Sequence, residues 1–260
     1  MNNLTGKHIG LVLSGGGVRG MAHIGVIRAL EERGIAVKRV SGSSVGALVG
    51  ALYANGTSVQ DMLTFFKETP LFKYNFLTIQ KPGLVDTERY IDIFKSYLPQ
   101  TFEALVRPLH VVATNMQKGE EEFFSKGELL RPLLASAALP PVFSPVEIEK
   151  CFYADGGIMN NFPLEPLLGQ VEYILGSNVS VIKQVDKKDI NSSFQLANRT
   201  TSLMIYAINR QKIKQCDLIF EPIELETIGV LDKKGIEKAY AIGYEHAMRK
   251  LEDLSLYTSS

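Results

Sequence analysis

Cysteine, histidine, net charge and long apolar runs are all scarce in this chain of 260 residues. Two cysteines, Cys151 and Cys216, are too few for a disulfide framework at this length. They read as reduced thiols in a cytosolic protein. No Cys-x-x-Cys pair and no His/Cys cluster suggests a structural zinc, and no loop has the pattern of a calcium site. Neither charge sign is in excess, since 28 Lys and Arg face 28 Asp and Glu. A dedicated nucleic-acid binder needs a basic surplus to neutralise phosphates, so nucleic acid is not an expected partner. The longest small-and-apolar run, Val45 to Ala54, falls far short of the ~20 residues that a membrane span requires. Ile9 to Leu13 is too short for a secretion signal and runs directly into glycines. The expected localisation is cytoplasmic. Histidine occurs four times, as His8, His23, His110 and His246.

The apolar set makes up 45% of the chain and charged residues 22%, enough to bury a sizeable core and to exclude overall disorder. The length allows one large domain or two small ones. The pattern from Ile9 to Gly56 is strand, glycine turn, helix, strand, glycine turn, helix, which implies a mostly parallel sheet covered by helices. Helices are predicted over Met21–Arg33, from the second glycine turn to Ala54, from the Ser58 cap to Glu68, and over Thr87–Leu98, Leu129–Ala138, Ser192–Gln215 and Ile236–Leu251. Strands are predicted over Ile9–Leu13, Val37–Ser41, Leu109–Asn115, Glu121–Ser125, Cys151–Ala154, Tyr173–Asn178 and Leu218–Phe220. With no internal repeat and only Val181–Ser193 resembling a linker, one domain over residues 1–260 is the economical reading.

Two glycine turns carry the chemistry. Gly15-Gly16-Gly17-Val18-Arg19-Gly20 fits the spacing G-x-G-x-x-G between a strand and a helix. A dinucleotide site would also need an acidic residue at the end of the second strand. That strand ends Val40-Ser41-Gly42, without one. The remaining use of such a loop is to aim backbone N–H groups at a developing oxyanion, with a plain tight turn as the bland alternative. Gly42-x-Ser44-x-Gly46 fits a nucleophile elbow, in which glycines flank a serine on a strained strand-to-helix turn. Ser43 is the poorer nucleophile because it lacks glycine at both second neighbours.

A serine nucleophile needs a base. Only His246 follows in the order common to serine hydrolases, and it falls inside the closing helix. The scarcity of histidine therefore points to a carboxylate. Asp155, between Phe152-Tyr153-Ala154 and Gly156-Gly157, is the best candidate, against the alternative of an ordinary Asp-Gly turn.

The four blocks SGGGVRG, GSSVG, ASAALPPVFSPV and DGG, in this order, resemble the patatin-like phospholipase family in its bacterial, cytoplasmic-size members. The likeness runs from about Ile9 to Asn161. It implies a three-layer α/β/α fold and a Ser-Asp dyad without histidine. It assigns Ser44 as nucleophile and Asp155 as base. Gly15, Gly16, Gly17 and nearby Arg19 fall to the oxyanion hole, and residues Ser136 to Val146 to a wall of the site. Gly20, Gly42, Gly46, Gly156 and Gly157 are motif support. The implied reaction is acyl-ester hydrolysis through an acyl-enzyme, on a lipid or acyl-ester substrate, with no cofactor and no metal. Transient contact with a membrane surface is part of this reading, with Lys67, Lys73 and Lys81 as headgroup contacts or simply a solvated face.

Alternatives stay open at this point: a weakly catalytic regulator or adaptor on the same fold, a general carboxylesterase or thioesterase, and a nucleotide-dependent enzyme. The aromatic-rich segment Pro70–Asp86, with Phe65, Phe66, Leu71, Phe72, Tyr74, Phe76 and Leu77 in or beside it, reads either as a lid or acyl pocket or as ordinary packing.

Overall fold

The computed structural model describes Leu4, residues 6–69, Leu77 and residues 81–257. Its first third follows the glycine-punctuated alternation closely, as β1 (Ile9–Leu13), α1 (Met21–Glu32), β2 (Val37–Ser43), α2 (Val45–Ala54) and α3 (Val59–Glu68). Then come α4 (Ile91–Lys95), β3 (Leu109–Asn115), β4 (Glu120–Phe124), α5 (Leu130–Ser136), β5 (Val146–Ile148) and β6 (Cys151–Ala154). The chain continues with β7 (Tyr173–Ser177), α6 (Ser193–Ile213), β8 (Leu218–Phe220) and α7 (Ile236–Tyr257).

The strands form one sheet in the order β5-β6-β3-β2-β1-β7-β8, with β4 also on β3. β3, β2, β1, β7 and β8 are mutually parallel, while β4 and β6 run antiparallel to β3 and β5 runs antiparallel to β6. Every residue of β1 is buried, which is why it reads as an unbroken apolar run rather than an alternating one. Leu11 and Leu13 point into the large core shared with α1, α2, α3 and α7, whereas Val12 joins Phe162, Leu164, Leu167, Ile174 and Ile213 on the opposite face. The sheet is thus covered on both sides, and α2, with no exposed residue, is packed directly on it. Helices α1 and α7 cross closely at Gly25 and Gly243, where a Cβ on either would run into the partner backbone.

The geometry of β3 positions the site. Its first half pairs with β2, Ser43 lying beside Val112. Beyond that point β2 has ended, and the same edge of β3 is taken by β6 running the other way, with Asn115 beside Tyr153 and Thr114 beside Ala154. The C-terminal ends of β2 and β6 therefore converge head-on along one strand.

Three local expectations needed correction. The helix expected over Thr87–Leu98 is a 3-10 turn, Thr87–Tyr90, followed by the short α4. Past α4 the Ser96 and Tyr97 N–H groups bond three residues back, to Ile93 and Phe94, and Asn55 Nδ2 donates to the Tyr97 carbonyl at 3.1 Å. β5 was not foreseen. It pairs with β6 through a two-residue turn of Glu149 and Lys150, both at positive φ, and these residues lack the Asn-Gly type signal of such hairpins. The closing helix α7 runs to Tyr257, beyond the expected Leu251.

Candidate active site

Ser44 occupies the turn between β2 and α2 with φ 54° and ψ −127°, a conformation that a β-substituted residue adopts only when the surroundings impose it. The surroundings are tight. A Cβ on Gly42 would lie 2.5 Å from the carbonyl oxygen of Gly46, and one on Gly46 would strike the backbone of Leu13 and Ser14. Only glycine at both positions lets β2, the end of β1 and α2 meet here, which is the steric content of the G-x-S-x-G pattern. The Ser44 backbone N–H donates to Ser136 Oγ at 2.9 Å. The Ser44 hydroxyl donates to Asp155 Oδ2 at 2.7 Å. Ser43 Oγ, by contrast, is buried with no hydrogen-bond partner among the described residues.

Asp155 follows β6 and is 3% exposed. Its other carboxylate oxygen accepts the Gly157 N–H at 2.7 Å, its backbone N–H donates to Ala138, and its carbonyl accepts from Thr114. Burial pushes its pKa up from 3.8 to about 6, against the lowering effect of the hydrogen bonds from Ser44 and Gly157. A carboxylate tuned to this value is still mostly ionised at pH 7, yet is a far better base than a solvated aspartate.

The SGGG loop lies against this pair, since a Cβ on Gly15 would come within 3.1 Å of Ser44 Cβ. The three glycines are not equivalent. The N–H of Gly15 donates to the Asn161 carbonyl at 3.1 Å and is therefore occupied. The N–H groups of Gly16 and Gly17 have no acceptor among the described residues, and both glycines line the cleft over Ser44. Arg19 also borders the cleft, but its guanidinium donates to the carbonyls of Ile228 and Glu226. These two bonds tie the Arg19 side chain to the 226–228 segment beside the cleft. Gly20 leaves room for Val45, and a Cβ on Gly156 would meet the Val112 carbonyl and Ser43.

The cleft has a volume of about 350 Å³, within the range of small-molecule pockets. Ala137, Leu139 and Phe143 form one wall, as the ASAALPPVFSPV block suggested, and Ile205, Ile208 and Met204 of α6 cover it from above. α6 was recognised from the sequence as a long helix but without a part in the site. Phe65 and Phe66 do not reach the cleft; they are buried in the core in edge-on contact, with Phe94 and Tyr97 against Phe65. Leu71, Phe72, Tyr74 and Phe76 lie outside the described residues, as does Lys73. Leu77 pairs with Val85, and Leu84 and Val85 with Val142. Lys67 is ion-paired with Glu237, and Lys81 with Asp86 and Glu88.

Neither remaining histidine candidate reaches the pair. His246 Nε2 accepts the Glu221 N–H near β8, at 3.3 Å. His23 is fully buried, its pKa lowered to about 4 by burial, and bridges the ends of β1 and β7 through the Ser14 carbonyl (2.8 Å) and Ser177 Oγ (2.7 Å). No group of three or more His, Cys, Asp or Glu is placed to hold a metal ion among the described residues. None of their helices is long and apolar enough to cross a membrane. Asn161 and Ser180 are the site residues that sequence reasoning missed, and Ser136, expected only as part of a wall, also accepts the Ser44 N–H. Only the position of Asn161 a few residues after the DGG turn hinted at either missed residue.

A strained serine hydrogen-bonded to a buried aspartate thus lies beside the Gly16 and Gly17 N–H groups at the C-terminal edge of a parallel sheet. The patatin-like phospholipase family model matches residues 11–168, and the chain belongs to that family of lipid ester hydrolases. An uncharacterized NTE family protein of Mycobacterium bovis is 34% identical over 169 residues, covering 64% of this chain and 47% of that protein. Lysophospholipase nte1 of Neurospora crassa is 32% identical over 196 residues, covering 73% of this chain and 13% of that protein. The chain therefore spans about half or less of these relatives. Among solved structures, VipD from Legionella pneumophila shares the fold with a TM-score of 0.53 at 17% identity, covering 95% of this chain and 67% of that one.

Proposed function

We propose that the chain hydrolyses acyl esters of lipids, as a phospholipase or lysophospholipase, through a Ser44–Asp155 dyad and an acyl-enzyme. The 2.7 Å bond from the Ser44 hydroxyl to the buried Asp155 carboxylate carries this reading. Asp155 Oδ2 takes the proton as Ser44 Oγ attacks the ester carbonyl. The carbonyl oxygen, now anionic, is met by the N–H groups of Gly16 and Gly17, and the N-terminus of α2 adds a favourable potential. The proton passes from Asp155 to the departing alcohol. Water, deprotonated by the same carboxylate, then attacks the acyl-enzyme and releases the fatty acid.

An apolar cleft supports an acyl substrate, and its rim supports contact with a lipid surface. Leu139, Ile158, Val230, Leu231, Met204 and Ile208 all line the cleft while remaining more than a third exposed. Apolar side chains ringing a site mouth lose unfavourable hydration when they meet lipid. A panel of lysophospholipids, phospholipids, thioesters and simple esters, run with the Ser44→Ala protein as control, tests the proposal. Hydrolysis of none of them, or hydrolysis undiminished in the control, would overturn it.

A further inference from the structure

We infer that Asn161 and Ser180 are positioning residues that set the direction of the Gly16 N–H, an inference that rests on the reading of Gly16 and Gly17 as oxyanion donors. The Ser180 hydroxyl donates to the Gly15 carbonyl at 2.8 Å. Asn161 Nδ2 donates to that same hydroxyl at 3.0 Å, and lies 3.5 Å from the Gly15 carbonyl. Ser14 Oγ adds a third donor at 3.1 Å. The Gly15 N–H is fixed as well, on the Asn161 carbonyl.

The consequence follows from the planarity of the peptide. In a trans peptide the C=O and the next N–H point in opposite directions. Holding the Gly15 carbonyl on the Asn161–Ser180 side therefore turns the Gly16 N–H to the other side of the peptide plane. A run of glycines has no side chains to hinder rotation of that peptide, so its orientation comes from the groups that hold the Gly15 carbonyl, of which only Ser14 belongs to the loop itself. Asn161 supplies it from a buried position. Its carboxamide oxygen occupies the space that a Cβ on Gly15 would need, and lies 2.7 Å from where a Cβ on Gly157 would be. One side chain thus joins the oxyanion loop to the DGG turn that carries Asp155. It also accounts for two glycines of separate motifs.

A donor turned away from the oxyanion costs transition-state stabilisation but not substrate binding. Ser180→Ala and Asn161→Ala are expected to lower kcat by about 10- to 100-fold with KM unchanged on a soluble nitrophenyl ester, less than the ~10²- to 10³-fold cost of removing an oxyanion donor outright, because the donor is misdirected and not deleted. Ser180→Thr, which keeps the hydroxyl, is expected to restore most of the rate. The double variant should lose little more than either single one, because the two side chains form one chain of hydrogen bonds. Unchanged kcat in both alanine variants, or an equal loss in Ser180→Thr, overturns the assignment. Wild-type turnover and labelling of Ser44 by a fluorophosphonate test the hydrolase reading separately. A crystal structure of the double variant judges the clamp without any activity: a rotated Gly15–Gly16 peptide supports it, and an unmoved one overturns it.

Discussion

Ser44 and Asp155 directly follow two strands that approach each other along the same edge of β3, β2 rising to Ser43 beside Val112 and β6 descending to Ala154 beside Thr114. The residues that follow these strand ends meet at 2.7 Å although they are 111 positions apart in the chain. β3 is thus the ruler that sets the Ser44–Asp155 distance. Register along a strand is fixed by the burial of its side chains, so the spacing is held by the core and not by the loops.

Removing either partner should stop the chemistry and spare the fold. Ser44→Ala and Asp155→Asn are expected to reduce hydrolysis of a nitrophenyl acyl ester by about 10³-fold or more, with far-ultraviolet circular dichroism unchanged. Turnover near the wild-type rate in either variant would remove the dyad.

The pH profile should follow Asp155. With its pKa near 6, the base is protonated and idle in mild acid and ionised above. kcat/KM on a soluble ester should rise through pH ~6 and level off above ~7. A midpoint near 4 would mean that the carboxylate is solvated rather than buried.

The same burial makes Asp155 a cost to stability. Its folded pKa is raised, so its contribution is fully present below the unfolded value near 3.8 and is lost as pH rises through about 6. The loss above that window is about 3 kcal/mol. Asp155→Asn cannot ionise, so it should unfold several degrees above wild type at pH 7.5, and the difference should shrink toward zero by pH 4. His23 contributes with the opposite sign. Its folded pKa is lowered, so the unfolded state binds the proton first, and stability is lost as pH falls from about 6.5 toward 4. Melting temperatures of the two proteins from pH 4 to 8 check this; a gap that widens in acid would contradict it.

Gly42→Ala and Gly46→Ala should each disrupt the elbow. The added methyl meets backbone atoms of α2 or β1 that have no room to withdraw, a loss of about 2 kcal/mol or more together with most of the activity. Urea denaturation and ester turnover measure both effects. A fully active, equally stable Gly46→Ala protein would show that Ser44 does not need this turn.

The apolar rim can be tested without touching the dyad. Met204, which lines the cleft from α6, is 62% exposed, and Leu203 next to it, outside the cleft lining, is 44% exposed. Met204→Glu and Leu203→Glu should lower activity on lysolipid micelles or vesicles several-fold while leaving a soluble short-chain ester nearly unaffected. Equal effects on both substrates would assign the residues to ordinary cleft packing.

Much of this protein was legible in one dimension. Alternation of apolar runs and glycine turns gave the parallel sheet, because strand and helix periodicity and the steric needs of tight turns are local properties. The scarcity of histidine pointed to a carboxylate, and the glycines around Ser44 and Asp155 marked where backbones must approach. The tertiary structure decided what depends on distant partners. It separated Gly15, whose N–H is taken by Asn161, from Gly16 and Gly17, whose N–H groups have no acceptor among the described residues. Arg19 went to the carbonyls of Ile228 and Glu226, and Phe65 and Phe66 went to the core, choices that no spacing rule encodes. The raised pKa of Asp155 came from the low-dielectric surroundings that folding builds around it, and the Ser44–Asp155 contact from β3, which brings together two strand ends that the sequence keeps far apart.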